Sequence, residues 1–193
     1  MIENIFFIFT NMKHDSLVIN EKIDLDIPNG ISGRWEIKEF TITEVEARIN
    51  NASGNSKGRE IVPGTYKALM CKIGENAYLR HKITVMSKTP AEVSDHMPFI
   101  RIATGNVLIC GLGLGMVVQA LIDKPEVISI TIIENSHDVV KLAGDDYQKN
   151  SSKVSVQKAD ALKYYSSVKY DAIWFDIWDS ICTDNISEMD LLK

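Results

Sequence analysis

The spacing of apolar residues changes near residue 105 and divides the chain into two parts. Before that point, aromatic and β-branched residues form short strand-like runs between turns, at residues 35–43, 66–73 and 78–86. After it, short apolar runs alternate with helix-like stretches, and the apolar runs lie at residues 107–110, 127–133, 154–156 and 172–175. Wholly apolar runs are typical of strands buried on both faces of a parallel sheet. The sequence therefore predicts an α/β fold with a β-rich N-terminal extension.

Local signals predict where the helices begin. Thr89, Pro90 and Glu92 form a capping box, which predicts a helix to about residue 102 with the Thr89 hydroxyl and the Glu92 carboxylate as mutual caps. Ser136 is a candidate cap for a helix that ends near Leu142, before a glycine. Further helices are predicted at residues 116–122 and 161–165, a surface loop at 50–58 and a strand at 5–9.

Composition excludes several classes of protein. The 193 residues carry 21 basic and 26 acidic side chains, a net charge of −5 that argues against a nucleic-acid binder. No apolar run approaches the roughly 18 residues that a membrane-spanning helix needs. The three cysteines are far apart, which favours a reducing cytoplasm, and the four histidines show no metal-ligand spacing. We therefore expect a cytoplasmic protein without a metal, a nucleic-acid partner or a membrane partner.

Glycines follow the first apolar strand of the second half, at Gly111, Gly113 and Gly115. A glycine-rich turn between a strand and a helix lets the backbone approach a ligand closely and directs free N–H groups towards it. The dinucleotide fingerprint would need another glycine where this chain has Met116. The turn, with Leu112, is a candidate cofactor site, and a tight packing turn without a ligand is the alternative.

Acidic residues follow the next two strands. Glu134 ends the second strand, where a carboxylate can accept two hydrogen bonds from a ribose diol; a solvated carboxylate is the alternative. Asp160 follows the third strand and can accept from an adenine amino group, cap a helix, or do both. Their neighbours Asn135 and Ala161 complete the candidate cofactor-binding set.

Two carboxylates, Asp176 and Asp179, lie just beyond the fourth strand. Ligands bind at this edge of open α/β sheets, which makes the two carboxylates candidates for the chemical centre. A strand-end cap followed by a surface turn is the alternative. Trp174 is expected in the core. For Trp178, a position in the pocket and a position at the surface are equally compatible with the sequence. His96 is expected to be a structural histidine rather than a pocket residue.

In this order and spacing, the glycine turn with Glu134, Asp160 and Asp176 resembles the class I S-adenosylmethionine-dependent methyltransferases. Within that superfamily the chain is similar to the spermidine synthase group, over residues 60–185. The resemblance implies a Rossmann-like domain at 89–193 after an extension at 1–88, with S-adenosylmethionine, S-adenosylhomocysteine or methylthioadenosine as ligand. The segments at 89–96 and 176–179 also resemble methyltransferase-like proteins of bacteriophages.

The spermidine synthase resemblance implies that Asp176 helps to deprotonate an attacking amine and that Asp179 holds a substrate amino group. In that group an aspartate inside the glycine turn contacts the cofactor's amino group, and this chain has Leu114 there. The departure favours ordinary S-adenosylmethionine. The superfamily sheet also has more strands than the four predicted here, so either the protein is a shortened variant or its C-terminal strands lie outside this sequence. A short sheet would have an open edge, which a homodimer would cover.

Three functions remain open from the sequence. The first is a methyltransferase that acts on a small-molecule acceptor, whose identity the sequence does not give, by in-line displacement at the sulfonium methyl group. The second is an aminopropyltransferase. The third is a non-catalytic protein that binds the cofactor or a partner.

Overall fold

The structure is a computed structural model that describes residues 23, 27–52, 59–74, 81–178 and 183–192. The strand predicted at residues 5–9, the predicted catalytic residue Asp179 and most of the predicted loop at 50–58 lie outside the described residues. Two sheets form the framework, one antiparallel and one parallel. Within the described ranges, no helix is long and apolar enough to cross a membrane.

The antiparallel sheet contains the strand-like runs of the first half. Its strands follow one another in chain order: β1 (Gly30–Ser32), β2 (Trp35–Ile42), β3 (Gly64–Ile73) and β4 (His81–Ser87). Ile37 of β2 pairs with Leu69 of β3, and each is 1% exposed. The inward face of this sheet therefore joins the same apolar core as the second half of the chain.

A helix that the sequence analysis did not predict follows β2. This helix, α1 (Glu44–Ala52), begins with a capping box in which the Thr43 N–H donates to Glu46 Oε2 at 2.8 Å and the Glu46 N–H donates to Thr43 Oγ1 at 3.2 Å. The prediction that the loop begins at residue 50 was therefore wrong, because residues 50–52 are helical. Only Ala47 of α1 is buried, so the helix has no apolar stripe that periodicity could detect.

The parallel sheet has the strand order of a Rossmann-like half. Its helices and strands are α2 (Pro90–Ile102), β5 (Gly105–Cys110), α3 (Met116–Ile122), β6 (Val127–Glu134), α4 (His137–Val139), α5 (Asp145–Asn150), β7 (Val154–Lys158), β8 (Ala172–Phe175) and α6 (Ile186–Leu191). The described strands lie in the order β7-β6-β5-β8 and pair in parallel. The first strand lies inside and the order reverses between β5 and β8, as in doubly wound sheets. The α/β prediction is confirmed.

Burial on both faces explains why the strands of this sheet could be predicted from the sequence. Val107, Leu108, Ile109 and Cys110 of β5 are each no more than 6% exposed, because the strand is covered on both faces. The same holds for Ile130, Ile132 and Ile133 of β6. Continuous apolar runs are the sequence signature of such strands.

The helix after β6 is longer than predicted. Ser136 caps it as expected, with its hydroxyl accepting from the Val139 N–H at 3.3 Å. The chain does not leave the helix near Leu142, because a π-helical segment at Val140–Gly144 joins α4 to α5, which ends at Asn150. Gly144 has helical angles, and a Cβ there would lie 3.3 Å from the Leu112 and Val156 side chains. This glycine thus allows close packing and does not end the helix.

The start of α2 is where the sequence places it, but its cap differs. Thr89 makes no side-chain cap hydrogen bond. Glu92 Oε2 instead accepts from the Ser87 N–H at 2.6 Å and from the Ser87 hydroxyl. The predicted capping box between Thr89 and Glu92 was therefore wrong, because Glu92 bonds to Ser87 instead. Through these hydrogen bonds Glu92 connects the end of β4 to the first turn of α2.

A side-chain contact joins the antiparallel sheet to helix α4 of the second half. The Ser32 hydroxyl donates to Asp138 Oδ1 at 2.7 Å, and the adjoining Gly33 has a φ of 52° with no room for a Cβ beside the Asp138 carboxylate. The turn between β1 and β2 is thus fixed against α4. A domain boundary at residue 88, in the connection from β4 to α2, stays a prediction.

Lys124 closes the C-terminal end of α2. Its ammonium donates to the carbonyl oxygens of Ile100, Arg101 and Ala103 at 2.9, 2.8 and 2.7 Å. Free carbonyls at a helix end favour a cation.

We expect Lys124→Met to lower the free energy of unfolding by about 1–3 kcal/mol, the usual cost of losing hydrogen bonds to a charged group. Chemical denaturation would measure it. Lys141→Met, at an exposed lysine of the π-helical segment, is the control and should change stability by less than about 0.5 kcal/mol. Equal effects of the two substitutions would contradict the capping role.

Candidate functional site

A cleft of about 410 Å³ opens at the carboxyl ends of the parallel strands, a volume within the roughly 300–1,000 Å³ typical of small-molecule sites. The antiparallel sheet contributes one part of its wall and the parallel sheet the other. Its lining residues are Trp35, Leu69, Val85, Met86, Gly111, Gly113, Ile133, Glu134, Asn135, Val139, Ala159, Asp160, Ala161, Leu162, Asp176, Ile177, Trp178 and Glu188.

The structure brings seven of the candidate residues together in this cleft: Gly111, Gly113, Glu134, Asn135, Asp160, Ala161 and Asp176. Leu112 and Gly115 do not line it, and Asp179 lies outside the described residues. The strand order accounts for this convergence, since parallel strands present their carboxyl ends at one edge of the sheet. That these residues bind a cofactor stays a prediction.

Neighbouring protein atoms lie so close to the first two glycines of the turn that a side chain would not fit at either position. Gly111 has a φ of 92°, donates its N–H to Ile133 O at 2.8 Å, and leaves no room for a Cβ beside the backbone carbonyl of Asp176. Gly113 has a φ of 53°, and a Cβ there would lie 2.5 Å from Met86 Sδ. The turn therefore passes between the end of β8 and the end of β4.

The rest of the turn faces the core. The Leu112 side chain is 3% exposed, and Gly115 leaves no room for a Cβ beside the Tyr147 ring. The Tyr147 hydroxyl donates to Leu114 O at 3.1 Å. Close packing against Tyr147 thus accounts for a glycine at position 115, and a role for Gly115 in cofactor binding stays a prediction.

Glu134 joins the glycine turn to the end of β6. Its Oε2 accepts from the Leu112 N–H at 2.9 Å, and its Oε1 accepts from the Ser136 N–H at 2.7 Å. A carboxylate has about four lone-pair sites, so both oxygens can still accept from a ligand in the cleft. Glu134 is therefore not simply a solvated carboxylate.

Asp160 caps a short helix, as one of the two alternatives expects, and it also lines the cleft; its binding of an adenine amino group stays a prediction. Its Oδ1 accepts from the Leu162 N–H at 3.0 Å, and Lys163 Nζ lies 3.1 Å from Oδ2. The hydrogen bonds from Lys163 and from the Leu162 N–H hold the pKa of Asp160 below its usual value. The carboxylate is thus an acceptor at neutral pH.

Asp176 contacts His96 at the end of β8. Its backbone N–H donates to Cys110 O at 2.8 Å, and its Oδ2 lies 3.4 Å from His96 Nε2. His96 Nδ1 is 2.6 Å from Glu92 O and therefore carries a proton, since a carbonyl only accepts. The ring is 6% exposed and packs against Trp174 at 5.4 Å.

Burial of His96 opposes protonation and lowers its pKa, but the Asp176 carboxylate and the Glu92 carbonyl outweigh burial and raise the pKa above its usual value. His96 is the structural histidine that the sequence predicted. It is also a partner of a cleft carboxylate, a role that the sequence did not reveal because Asp176 is 80 residues away along the chain.

Several lining residues were missed or left open by the sequence. Met86 Sδ accepts from the Leu114 N–H at 3.2 Å, so β4 contacts the glycine turn directly. Trp178 lines the cleft, and its indole N–H donates to Glu188 Oε2 at 2.6 Å. Trp174 packs against Phe99 at 5.0 Å and against the core, as expected. No local motif marks Met86 or Glu188, because each reaches the cleft through tertiary packing.

The cleft is acidic. Its charged lining residues are Glu134, Asp160, Asp176 and Glu188, and among the described lining residues there is no lysine, arginine or histidine. Carboxylates in a partly enclosed cleft attract a positively charged ligand more strongly than they would in bulk water.

In the described part of the chain, we searched the side chains for a metal-binding cluster and for a reactive thiol. It holds no group of three His, Cys, Asp or Glu side chains that could bind a metal ion. Burial raises the pKa of Cys110 to about 12, so its thiol is protonated at neutral pH and is a poor nucleophile.

No protein-family model and no curated protein matches the sequence. Some solved structures are similar. A dimethyladenosine transferase from Plasmodium falciparum matches at 19% identity and a TM-score of 0.38, over 46% of this chain and 32% of that chain. A coclaurine N-methyltransferase bound to N-methylheliamine and SAH matches at 23% identity and a TM-score of 0.37, over 44% and 25%. Spermidine synthase from Thermotoga maritima matches at 16% identity and a TM-score of 0.37, over 68% and 55%.

Each of these matches covers less than two thirds of the other protein's chain, and each is a likeness of fold alone. The narrower likeness to bacteriophage proteins stays a prediction.

The glycine turn allows a direct test of its packing. We expect Gly113→Ala to cost about 1–3 kcal/mol through overpacking against Met86, and Met86→Ala to relieve part of that cost. A double-mutant cycle by chemical denaturation should therefore show a favourable coupling of about 0.5–3 kcal/mol.

Gly111→Ala is the matched control for this cycle. Its Cβ would meet the Asp176 backbone carbonyl, so Met86→Ala should bring it no relief. Equal coupling of Met86→Ala to both glycine substitutions would show that the Met86 contact is not specific to Gly113.

His96 should make stability depend on pH. Because its pKa is raised in the folded protein, its stabilising contribution is complete below the unfolded value of about 6.5 and is lost as pH rises through the folded pKa. The charged groups that interact with the ring are Asp176 and Glu92. Burial raises the pKa of Glu92, so Glu92 also makes the protein less stable as the pH rises. Because wild type and a His96 variant both contain Glu92, the comparison between them reports mainly on His96.

We therefore expect wild type to lose its stability advantage over His96→Gln as the pH rises above about 6.5. Denaturation at several pH values would measure this. His137→Gln, at an exposed histidine of α4, is the control and should preserve the wild-type profile. Parallel profiles for wild type and His96→Gln would refute the role assigned to the contact.

Proposed function

We propose that this protein is an S-adenosylmethionine-binding transferase, and specifically a methyltransferase with a small-molecule acceptor. The observation that carries the proposal is the position of Glu134. Its carboxylate lines the cleft at the end of β6 while it also accepts from the N–H of Leu112 in the glycine turn. This arrangement suits a ribose diol held beside a glycine-rich strand-to-helix turn.

The neighbouring residues fit the remainder of such a ligand. Asp160 can accept from an adenine amino group, and the apolar side chains of Ala161 and Leu162 can pack against the base. Gly111 and Gly113 line the same cleft as Asp176, so the glycine turn would lie beside such a ligand. The acidic lining suits a ligand that carries a sulfonium charge.

When bound, S-adenosylmethionine supplies an electrophilic methyl group. The residues of this chain then contribute binding and orientation: Glu134 fixes the ribose end, and Asp176 stabilises positive charge near the acceptor or takes its proton. The His96 contact holds the Asp176 side chain in place at the end of β8.

Aminopropyl transfer is the second candidate, favoured by the same acidic lining. Against it, Leu114 occupies the position where spermidine synthases have an aspartate, and its side chain is fully buried. Release of methylthioadenosine from decarboxylated S-adenosylmethionine with putrescine would favour this candidate over methyl transfer.

Calorimetric titration with S-adenosylmethionine and S-adenosylhomocysteine tests the proposal. Binding by wild type is expected, and Glu134→Gln should weaken it by about 1–3 kcal/mol, roughly 5–150-fold, because an amide offers fewer acceptor sites to the diol and the backbone.

Glu126→Gln is the charge-matched control, since Glu126 is exposed before β6 at the opposite edge of the sheet. It should bind both ligands like wild type. Thermal unfolding would confirm that both variants are folded. Absence of binding of either ligand by wild type at millimolar concentration would reject the proposal.

A further inference from the structure

His96 and Asp176 form a pair in which one member is buried and the other lines the cleft. The His96 ring is 6% exposed, and its Nε2 lies 3.4 Å from Oδ2 of Asp176 at the cleft end of β8. His96 Nδ1 contacts Glu92 O at 2.6 Å, so this nitrogen keeps its proton in both charge states of the ring. Nε2, the nitrogen next to the carboxylate, is therefore the one that gains or loses a proton.

The described residues around the ring include few other ionisable groups. A small cavity of about 10 Å³ lies beside the ring, and His96 and Asp176 are the ionisable residues among those described that line it. Glu92, one helical turn earlier on α2, also interacts with the ring, and Asp95, the preceding residue, pairs with Arg59. Burial lowers the pKa of His96, but Asp176 and Glu92 outweigh burial and raise the pKa. The ring therefore changes its charge at a pH above the usual value of about 6.5.

The charge state of the ring decides how strongly the pair attracts a cation in the cleft. With a neutral ring, the pair carries the full negative charge of Asp176. With a protonated ring, the two charges largely cancel. S-adenosylmethionine has a positive sulfonium where S-adenosylhomocysteine has a neutral thioether. Attraction to Asp176 therefore separates these two ligands when the ring is neutral and much less when it is protonated.

The strand order directs the sulfur of such a ligand towards the pair. Glu134, the proposed ribose partner, follows β6, and Asp160, the proposed adenine partner, follows β7 on the far side. The rest of the ligand then extends from the ribose towards β5 and β8. At about 4.8 Å per strand spacing, the ends of β6 and β8 are roughly 10 Å apart. The sulfur is one carbon beyond the ribose ring, so it would lie over the glycine turn between Glu134 and Asp176.

We propose that His96 sets the preference of the site for the sulfonium cofactor over its thioether product, by leaving the charge of Asp176 available when the ring is neutral and cancelling it when the ring is protonated. This inference rests on the proposed function. Sulfonium and imidazolium compete for the same carboxylate, so binding of S-adenosylmethionine releases the Nε2 proton to solvent. The thioether does not compete, and the ring binds the proton again once the methyl group has left. His96 acts through Asp176 and is a positioning residue.

Calorimetric titration of the full chain with both ligands tests the inference. We expect wild type to favour S-adenosylmethionine over S-adenosylhomocysteine more strongly at pH 8 than at pH 6, with the ratio of the two Kd values changing at least about fivefold. Titration near pH 7 in phosphate and in Tris, buffers that differ in ionisation enthalpy, measures the protons released on binding. More protons should be released with S-adenosylmethionine than with S-adenosylhomocysteine.

His96→Gln is the decisive variant, because glutamine cannot change its charge. Its Kd ratio should change by less than about twofold over the same pH range. His137→Gln, at an exposed histidine of α4, is the control and should keep the wild-type change. Ionisable groups of the ligands are the same for all three proteins, so differences between the profiles report on His96. Thermal unfolding at each pH would confirm that the variants are folded.

Equal proton release with the two ligands, or a wild-type Kd ratio that is the same at pH 6 and pH 8, would overturn the inference while binding of both ligands upholds the proposed function. A wild-type change in the ratio that persists in His96→Gln would overturn it as well. The comparison of proton release uses wild type alone and decides the matter even if His96→Gln does not fold. Failure of wild type to bind either ligand would reject the proposed function and this inference with it.

Discussion

The glycine turn after β5 is confined on two sides, and the rest of the site depends on that confinement. On one side the Asp176 carbonyl leaves no room for a Cβ at Gly111. On the other side the Met86 sulfur leaves no room for a Cβ at Gly113. Glu134 adds a third constraint by accepting from the Leu112 N–H. The turn thus joins the ends of β4, β6 and β8 at one place. The cleft wall is thus built from elements that pack closely around this one turn.

This confinement gives the antiparallel sheet a role in the site. Met86 reaches the turn from β4, and the same strand is tied to α2 by the hydrogen bonds between Ser87 and Glu92. His96, one turn further along α2, contacts Asp176. The first half of the chain therefore positions a carboxylate of the second half through α2. An N-terminal extension that packs in this way contributes to the geometry of the cleft as well as covering it.

The sequence could predict the parallel sheet because burial on both faces leaves an uninterrupted apolar run, as in β5 and β6. It could also predict that acidic residues at strand ends would converge, since topology alone brings carboxyl ends to one edge. Gly144 was misread because a glycine that allows close packing looks the same in sequence as one that ends a helix. Met86, Glu188 and the partner of His96 were not predictable, because long-range packing places them and no local pattern records it.

The acidity of the cleft is a local property rather than a reflection of the whole chain. Overall the chain is nearly balanced, with 21 basic and 26 acidic side chains, yet the described cleft lining has four carboxylates and no basic group. Lys163 is close to Asp160 but its side chain is largely exposed and does not line the cleft. Acidic side chains are therefore concentrated in the cleft relative to the chain as a whole. This charge distribution would attract a positively charged ligand from solution.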